Sequence, residues 1–156
     1  MAEIIVVGVD ESETARKAAQ KAASLAAAFG AELHVATAFN THKAETLQSI
    51  HSQSESDAVS KAYRTLVAQY AADAEATASE IAEELRSSSP ELTVIPKAVE
   101  GKPGAALSDE AARVGADLIV VGNKRVQGIA RVLGSVARTV ASEAKCDLYI
   151  VHTHQR

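Results

Sequence analysis

The sequence predicts an α/β protein built on an open parallel β-sheet. Two observations predict this class. Short, continuously apolar segments rich in β-branched residues alternate with helical segments, and the first strand, helix and strand follow one another through short turns. Such a unit connects parallel strands by a right-handed crossover. With 156 residues, 47% of them hydrophobic, the chain is long enough to bury most of its apolar surface in one core. We therefore expect a single domain, residues 1–156.

The pattern of apolar residues and a helix-ending glycine predict the first three elements. Residues 4–10 (IIVVGVD) are apolar almost without alternation, which is typical of a strand buried on both faces. An alanine-rich helix is predicted over residues 14–29, with an apolar stripe that ends at Phe29. Gly30 stands where a helix C-cap is expected, and a second strand is predicted over residues 32–39.

The remaining elements continue the alternation. Asn40 to Ser56 is polar and without period, so we expect an exposed loop that acts as a lid or is an insertion. Apolar residues then recur every three or four positions, which predicts a long amphipathic helix. Proline in the first turn and glycine after the last turn mark the helix that follows. The predicted elements are a helix over 57–86, a strand over 92–99, a helix over 103–114, a strand over 117–121, a helix over 135–144 and a strand over 146–152.

Composition excludes several classes of function. The formal net charge of −4 argues against a general nucleic-acid binder, which needs a basic face. The single cysteine, Cys146, cannot form a disulfide within the chain, and the first apolar segment is too short for a signal peptide or a membrane span. We expect a cytoplasmic protein without a nucleic-acid or membrane partner.

A glycine-rich basic segment follows the fourth predicted strand. It reads VVGNKRVQGIARVLGSV, residues 120–136. Each of its glycines permits a positive φ or the close approach of a ligand to the backbone, and Ser135 opens a helix whose N–H groups and dipole favour an anion. The Ser135 hydroxyl is suited to cap that helix and to donate to a phosphate. Four cations and no acid lie between Gly122 and Ser142: Lys124, Arg125, Arg131 and Arg138.

Two interpretations of this segment stand side by side. In an acidic protein the concentration of positive charge indicates a phosphate cradle, whereas the plainer alternative is a tight turn with a solvated basic rim. The segment is not a Walker loop, and GxGxxG is absent after the first strand. Asp10 also has two interpretations. It is either a ligand-binding carboxylate at the end of the first strand or the N-cap of the first helix. Ser12 is a second candidate for that N-cap.

The other reactive side chains predict neither catalysis nor metal binding. His34 lies in a predicted strand and is expected to be packed, and the remaining histidines lack the spacing of zinc ligands. Cys146 has no CxxC partner and is expected to be an inert small apolar residue. No Ser-His-Asp set or nucleophile elbow is visible. The histidines without a partner are His42, His51, His152 and His154.

Together these segments resemble the universal stress protein family. The resemblance rests on VGVDES near the start, VGADLIVVG before the basic segment, LGSVARTV after it and CDLYIVHT near the end, and it covers nearly the whole chain. It implies a Rossmann-like, adenine-nucleotide α-hydrolase-like fold: a five-stranded parallel sheet of order 3-2-1-4-5 with helices on both faces. It also implies an adenine nucleotide, ATP or AMP or cyclic AMP, bound across the first and fourth strands.

The resemblance implies a role for each matched residue. Asp10 would accept hydrogen bonds near the ribose or adenine, beside a base site lined by Gly8, Val9 and Ala38. Gly122 would approach the ribose or first phosphate, and the start of the last helix would hold the distal phosphates. The candidate nucleotide-binding residues are Gly8, Val9, Asp10, Ala38, Val121, Gly122, Arg125, Gly128, Gly134, Ser135 and Val136.

The sequence departs from the family pattern Gly-x2-Gly-x9-Gly-Ser/Thr in the middle of the loop. Arg125 replaces the second glycine, and only eight residues, Val126 to Leu133, separate it from Gly134. Gly128 could compensate for the lost glycine. The Arg125 guanidinium either binds phosphate bidentately or fills the triphosphate site and leaves room for a monophosphate or cyclic nucleotide.

Four functions are compatible with these observations. The leading hypothesis is a nucleotide-binding regulatory or stress-response module. The second is a slow ATP hydrolase in which Asp10 recruits Mg²⁺ through water, without the usual carboxylate pair. The third is a phosphorylated receiver-like domain, which lacks a second aspartate after the third strand. The fourth is a dimeric interaction protein with a vestigial nucleotide site. Under each of them we expect a homodimer through the terminal edge strand, Asp147 to Val151.

Overall fold

The computed structural model describes residues 3–42, 45, 57–123 and 133–153. Within these ranges the strands and helices alternate in the predicted order. Their bounds differ from the predicted ones by a few residues at most, and those of β2 and α3 are the same. The elements are β1 Ile4–Gly8, α1 Glu13–Phe29, β2 Glu32–Phe39, α2 Asp57–Ser88, β3 Val94–Glu100, α3 Pro103–Val114, β4 Leu118–Gly122, α4 Ser135–Glu143 and β5 Asp147–Val151.

The five strands form one parallel sheet of order β3-β2-β1-β4-β5, which confirms the predicted fold class. In register, Gly8 of β1 lies beside Ala36 of β2, and Val7 lies beside Val120 of β4. The chain first adds strands on one side of β1 and then on the other. The order therefore reverses between β1 and β4, and a crevice opens there at the carboxyl ends of the strands.

The apolar side chains divide into two clusters rather than one core. Alternate residues of a strand point to opposite faces of the sheet, so each face builds its own cluster. The first cluster joins β1 and β2 to α1 and α2 through residues such as Leu33, Val35 and Ile81. The second joins the opposite face to α3 and α4 and includes Ala36 and Leu107. Helices therefore cover both faces, as predicted.

The predicted helix caps are confirmed at two glycines, and one side chain of α1 differs from expectation. Gly30 and Gly115 end α1 and α3 in the left-handed conformation, with φ of 67° and 69°. Phe29 was predicted on the buried stripe of α1 but is 56% exposed. Phe29 is the last residue of the helix, and the buried face of the helix consists of alanines between Ala15 and Ala26.

In the part of the polar segment after β2 that the structure describes, Asn40, His42 and Glu45 are exposed, as predicted, and Thr41 is not. Thr41 is buried, its carbonyl accepts a hydrogen bond from the backbone N–H of Glu45 at 2.9 Å, and its hydroxyl lies 3.4 Å from the carboxylate of Glu100. The rest of the Asn40 to Ser56 segment, His51 included, lies outside the described residues, as does His154. Within the described ranges, none of the helices is both long and apolar enough to cross a membrane.

Candidate functional site

A cavity of about 300 Å³ lies at the carboxyl ends of β1 and β4, where the strand order reverses. The first turns of α1, α3 and α4 also border it. Nine of the eleven candidate residues line this one cavity, although they come from segments far apart in sequence. They are Gly8, Val9, Asp10, Ala38, Val121, Gly122, Gly134, Ser135 and Val136.

Of the four cations of the basic segment, Arg138 is the one that falls within the described residues. Arg125 and Gly128, the other two candidates, lie outside the described residues, as do Lys124 and Arg131. Arg138 is exposed on α4 and does not line the cavity. Among the described lining residues, Asp10 carries the only charge.

Small side chains on β1 and β2 create the space of the cavity. Ala36 and Ala38 alternate on the same face of β2 and line the cavity with Leu107 of α3. The Leu107 side chain packs directly over Gly8, where a Cβ would lie 2.3 Å from Leu107 Cδ1, so a larger residue at position 8 would displace Leu107. The cavity therefore exists because strand and helix approach each other through glycine and alanine.

The carboxylate of Asp10 is held by the turn between β1 and α1. Its Oδ1 accepts hydrogen bonds from the backbone N–H of Ser12, at 2.8 Å, and from the Ser12 hydroxyl. Ser12 is the N-cap of α1, and its Oγ accepts a hydrogen bond from the Ala15 N–H at 3.2 Å. The N-cap prediction for Asp10 is therefore wrong. Asp10 instead orients the capping serine and lines the cavity.

The first turn of α4 closes the cavity from the β4 side. Gly134, not Ser135, is the N-cap, and no side chain caps this helix. Gly134 has φ −60° and ψ 159°, and in the described chain positive φ occurs at Gly30, Gly101 and Gly115, so neither Gly122 nor Gly134 uses a positive φ. An α-helix has no internal acceptors for its first N–H groups. The uncapped first turn therefore presents a partial positive charge to the cavity.

Sequence reasoning missed several residues of the lining. Ala36 could have been found, because it precedes Ala38 by two positions on the same strand face. Pro103 and Thr14 lie in the first turns of helices that follow strands, and this position predicts a place in the cavity less strongly than the strand alternation of Ala36 does. Leu107 and Ala137 enter the cavity through helix packing and have no signal in the sequence. The missed residues are Thr14, Ala15, Ala36, Pro103, Leu107 and Ala137.

The remaining reactive side chains lie outside the cavity lining. His34 is buried, and its Nε2 lies 2.6 Å from Glu32 Oε1, as expected for a packed histidine. Burial, followed by the negative charges of Asp147 and Asp117, raises the pKa of the Cys146 thiol, which keeps it from being a thiolate nucleophile at neutral pH. The described residues contain no cluster of three or more His, Cys, Asp or Glu side chains that could hold a metal ion.

Comparison with known proteins gives the family. The sequence model of the universal stress protein family matches residues 1–152. The chain belongs to this family. Among curated relatives, universal stress protein Rv1636 of Mycobacterium tuberculosis is 33% identical over 153 residues, which cover 96% of this chain and 95% of that protein.

Solved structures of universal stress proteins share the fold. One that was crystallised in complex with cAMP is 35% identical, covers 97% of this chain and 98% of its own, and superposes with a TM-score of 0.65. Universal stress protein UspA from Lactobacillus plantarum is 22% identical, with coverage of 96% and 97% and a TM-score of 0.72. At that identity UspA supports the fold alone. The sheet order 3-2-1-4-5 of this universal stress protein is therefore that of its family.

Proposed function

We propose that this universal stress protein is a regulatory module that binds an adenine nucleotide in the cavity between β1 and β4. One observation carries the proposal: nine residues chosen from the sequence as nucleotide ligands line a single cavity, beside the uncapped N-terminus of α4. A cavity of about 300 Å³ is at the lower end of the range for small-ligand sites, about 300–1,000 Å³.

Each part of the nucleotide has a matching part of the cavity. The adenine packs between the small residues of β2, Ala36 and Ala38, and the side chain of Leu107. Asp10, the single charged lining residue that the structure describes, accepts hydrogen bonds from ribose hydroxyls, as acidic residues do at the switch point of other nucleotide-binding sheets. The phosphate accepts hydrogen bonds from the first N–H groups of α4 and from the Ser135 hydroxyl.

A nucleotide with one phosphate suits the described lining best. The universal stress protein solved with cAMP supports this choice, since it is 35% identical to this chain over nearly its whole length. The alternative ligand is ATP, with Mg²⁺ held through water by Asp10. Slow ATP hydrolysis is the weaker function, because no second carboxylate and no base accompanies Asp10 among the described lining residues.

Calorimetric titration with cAMP, AMP and ATP, each with and without Mg²⁺, and with GMP for comparison, tests the proposal. The double variant Gly134→Val/Ser135→Ala should abolish binding and leave the circular dichroism spectrum unchanged. Valine is compatible with the φ and ψ of Gly134, and its branched side chain crowds the first N–H groups of α4. A hydrogen bond to a charged group contributes about 1.5–3 kcal/mol, so losing the Ser135 bond alone weakens binding roughly ten- to a hundred-fold.

Ser142→Ala is the matched control for Ser135→Ala. Ser142 is exposed near the other end of α4, where its hydroxyl donates to the carbonyl of Thr139 at 3.0 Å. This variant should bind nucleotide as the unmodified chain does. Unchanged affinity in the double variant would contradict the proposed site, and absence of binding by all three adenine nucleotides would favour an interaction protein with a vestigial site.

We also propose that the protein is a cytoplasmic homodimer that pairs through β5. Strand β5 is the last strand on its side of the sheet, so one of its edges has no neighbour in the described chain. Its central residue, Tyr149, is 39% exposed. The single cysteine is compatible with a reducing compartment.

A further inference from the structure

A second crevice adjoins the nucleotide cavity, on the face of the sheet that α2 covers. It has a volume of about 290 Å³ and lies between the carboxyl end of β2, the turn after β1 and the middle of α2. Asp10 and Ala38 line both spaces. We call it the α2 crevice; its other lining residues include Glu11, Thr37, Phe39, Tyr70, Asp73 and Ala74.

Thr37 is a polar residue at an apolar position of the sheet. Leu33 and Val35 of β2 pack in the cluster beneath α1 and α2, and alternation along the strand places Thr37 on that same face. Thr37 is only 7% exposed, and its hydroxyl has no hydrogen-bond partner within the described part of the chain. A buried hydroxyl without a partner is unfavourable. Thr37 also lines the α2 crevice, so a rotation about χ1 would be needed to bring this buried hydroxyl to the crevice wall as a hydrogen-bonding group.

The charge of the crevice selects a cation. Asp10, Glu11 and Asp73 contribute carboxylates, and none of the described lining residues is basic. Asp73 Oδ1 accepts a hydrogen bond from Gln69 Nε2 at 2.8 Å, which positions this carboxylate on α2. An anionic ligand is therefore repelled. The crevice also lacks a set of metal ligands, because the described ranges contain no cluster of three or more His, Cys, Asp or Glu side chains that could hold a metal ion.

We propose that the α2 crevice binds the ammonium group of a small aliphatic amine. An ammonium group needs only a few oxygen acceptors and carries three donors. The Asp73 carboxylate and the Thr37 hydroxyl accept its hydrogen bonds. The half-buried ring of Tyr70 attracts the charge, and the alkyl chain packs against Phe39 and Ala74.

Titration of the full chain with putrescine, followed by the amide signals of the protein in NMR spectra, tests this site. The titration is done without nucleotide, so that its failure is separate from failure of the proposed function, and at physiological salt, where the Debye length is about 8 Å. We expect saturable shifts at Thr37, Tyr70 and Asp73. The diol with the same carbon chain should give none.

A matched pair of variants separates the crevice from general attraction to an acidic surface. Asp73→Asn should weaken putrescine binding at least about tenfold, as expected for loss of a charge-assisted hydrogen bond. Glu75→Gln removes the same charge from an exposed position on the same helix, outside the crevice, and should leave affinity unchanged. Thr37→Val should weaken binding and raise the melting temperature, because a methyl group replaces the unpartnered hydroxyl.

Three results would overturn the proposal. Equal weakening by Asp73→Asn and Glu75→Gln would mean diffuse electrostatic attraction. The same shifts from the diol or from Mg²⁺ would mean that the crevice does not recognise an amine. An absence of saturable shifts would mean that the crevice binds no amine. Water would then be the hydrogen-bond partner of the Thr37 hydroxyl.

Discussion

Glu110 is a buried carboxylate whose main partner is Arg113. It is 6% exposed on α3, and both of its oxygens accept hydrogen bonds from the Arg113 guanidinium, at 2.8 and 2.5 Å. This pairing lowers the pKa of Glu110 below its ordinary value of 4.5, against the effect of burial, which raises it. The pair thus stabilises the fold while Glu110 is ionised.

The Glu110–Arg113 pair predicts a pH dependence of stability. A carboxyl group whose pKa is lowered by folding contributes its full stability above its unfolded pKa and loses it as the pH falls through the folded pKa. The difference in unfolding free energy between the unmodified chain and Arg113→Gln should therefore be largest at neutral pH and shrink as the pH falls below 4.5. Urea unfolding at a series of pH values measures it.

Arg64→Gln, at an exposed position on α2, is the control with the same change of net charge, and its stability difference should vary little with pH. A difference for Arg113→Gln that stays constant from neutral to acidic pH would show that the Glu110 pKa is not lowered by Arg113.

At the scale of single residues, the sequence identified Asp10 but not what it does. Asp10 and Ser12 both fit a helix N-cap, because both side chains can accept a hydrogen bond from a first-turn N–H. Only the path of the turn decides between them. It places the Ser12 hydroxyl on Ala15 N–H and the Asp10 carboxylate on Ser12. Asp10 consequently lines the cavity, where the nucleotide hypothesis needs an acceptor.

At the scale of elements, α3 and α4 touch through the backbone of Gly104. A Cβ at Gly104 would lie 2.5 Å from Thr139 Cβ and 2.7 Å from Thr139 Cγ2. These distances are shorter than two carbon atoms allow, and Thr139 Cβ is fixed to the helix backbone. The two helices therefore pack closely because residue 104 has no side chain.

Gly104→Ala should destabilise the protein although alanine favours helices. The gain in helix propensity is up to about 1 kcal/mol, whereas overpacking costs about 1–3 kcal/mol, so we expect a net loss. Thermal or urea unfolding measures it. Combining the variant with Thr139→Gly should cost less than the sum of the two single changes, since the clash is removed. An increase of stability in Gly104→Ala would show that the helices move apart without cost.

Element order and type could be predicted because their signals are local. Apolar runs, helical spacing, Pro103 and the glycines Gly30 and Gly115 act within a few residues of where they stand. Phe29 shows where such reasoning ends. Helical spacing gives the direction of a side chain around the axis, but whether another element lies opposite that side chain depends on the rest of the fold. Phe29 has the apolar spacing and is nevertheless exposed.

At the scale of the whole molecule, the two edges of the sheet differ. Edge strand β3 contains Pro96, which lacks the N–H that a pairing strand would need. Strand β5 contains no proline and has Tyr149 at its centre. In a two-fold antiparallel pair centred on β5, Tyr149 would face its own copy. The β5 edge is therefore the one expected to pair.

Tyr149→Asp should convert the expected dimer to a monomer, because like charges directly opposite each other destabilise a strand pair. Light scattering measures the molar mass. Ile95→Asp is the matched control on the other edge strand, where Ile95 is 38% exposed, and it should leave the dimer intact. A monomer for the unmodified chain at working concentration would contradict pairing through β5.

Sequence patterns were enough to predict the order of elements, the family and nine residues of the cavity lining. Strand and helix signals are short-range, and parallel strands bring their carboxyl ends to one edge of the sheet, so Asp10 and Gly122 could be expected to meet. How the cavity is closed depends on packing between elements that are distant in sequence: Leu107 lies over Gly8, and the uncapped turn at Gly134 borders the other side. The tertiary structure also brings Thr37 and Asp73 into the lining of one second crevice. These contacts join residues from different elements, and no local pattern encodes how helices pack on a sheet.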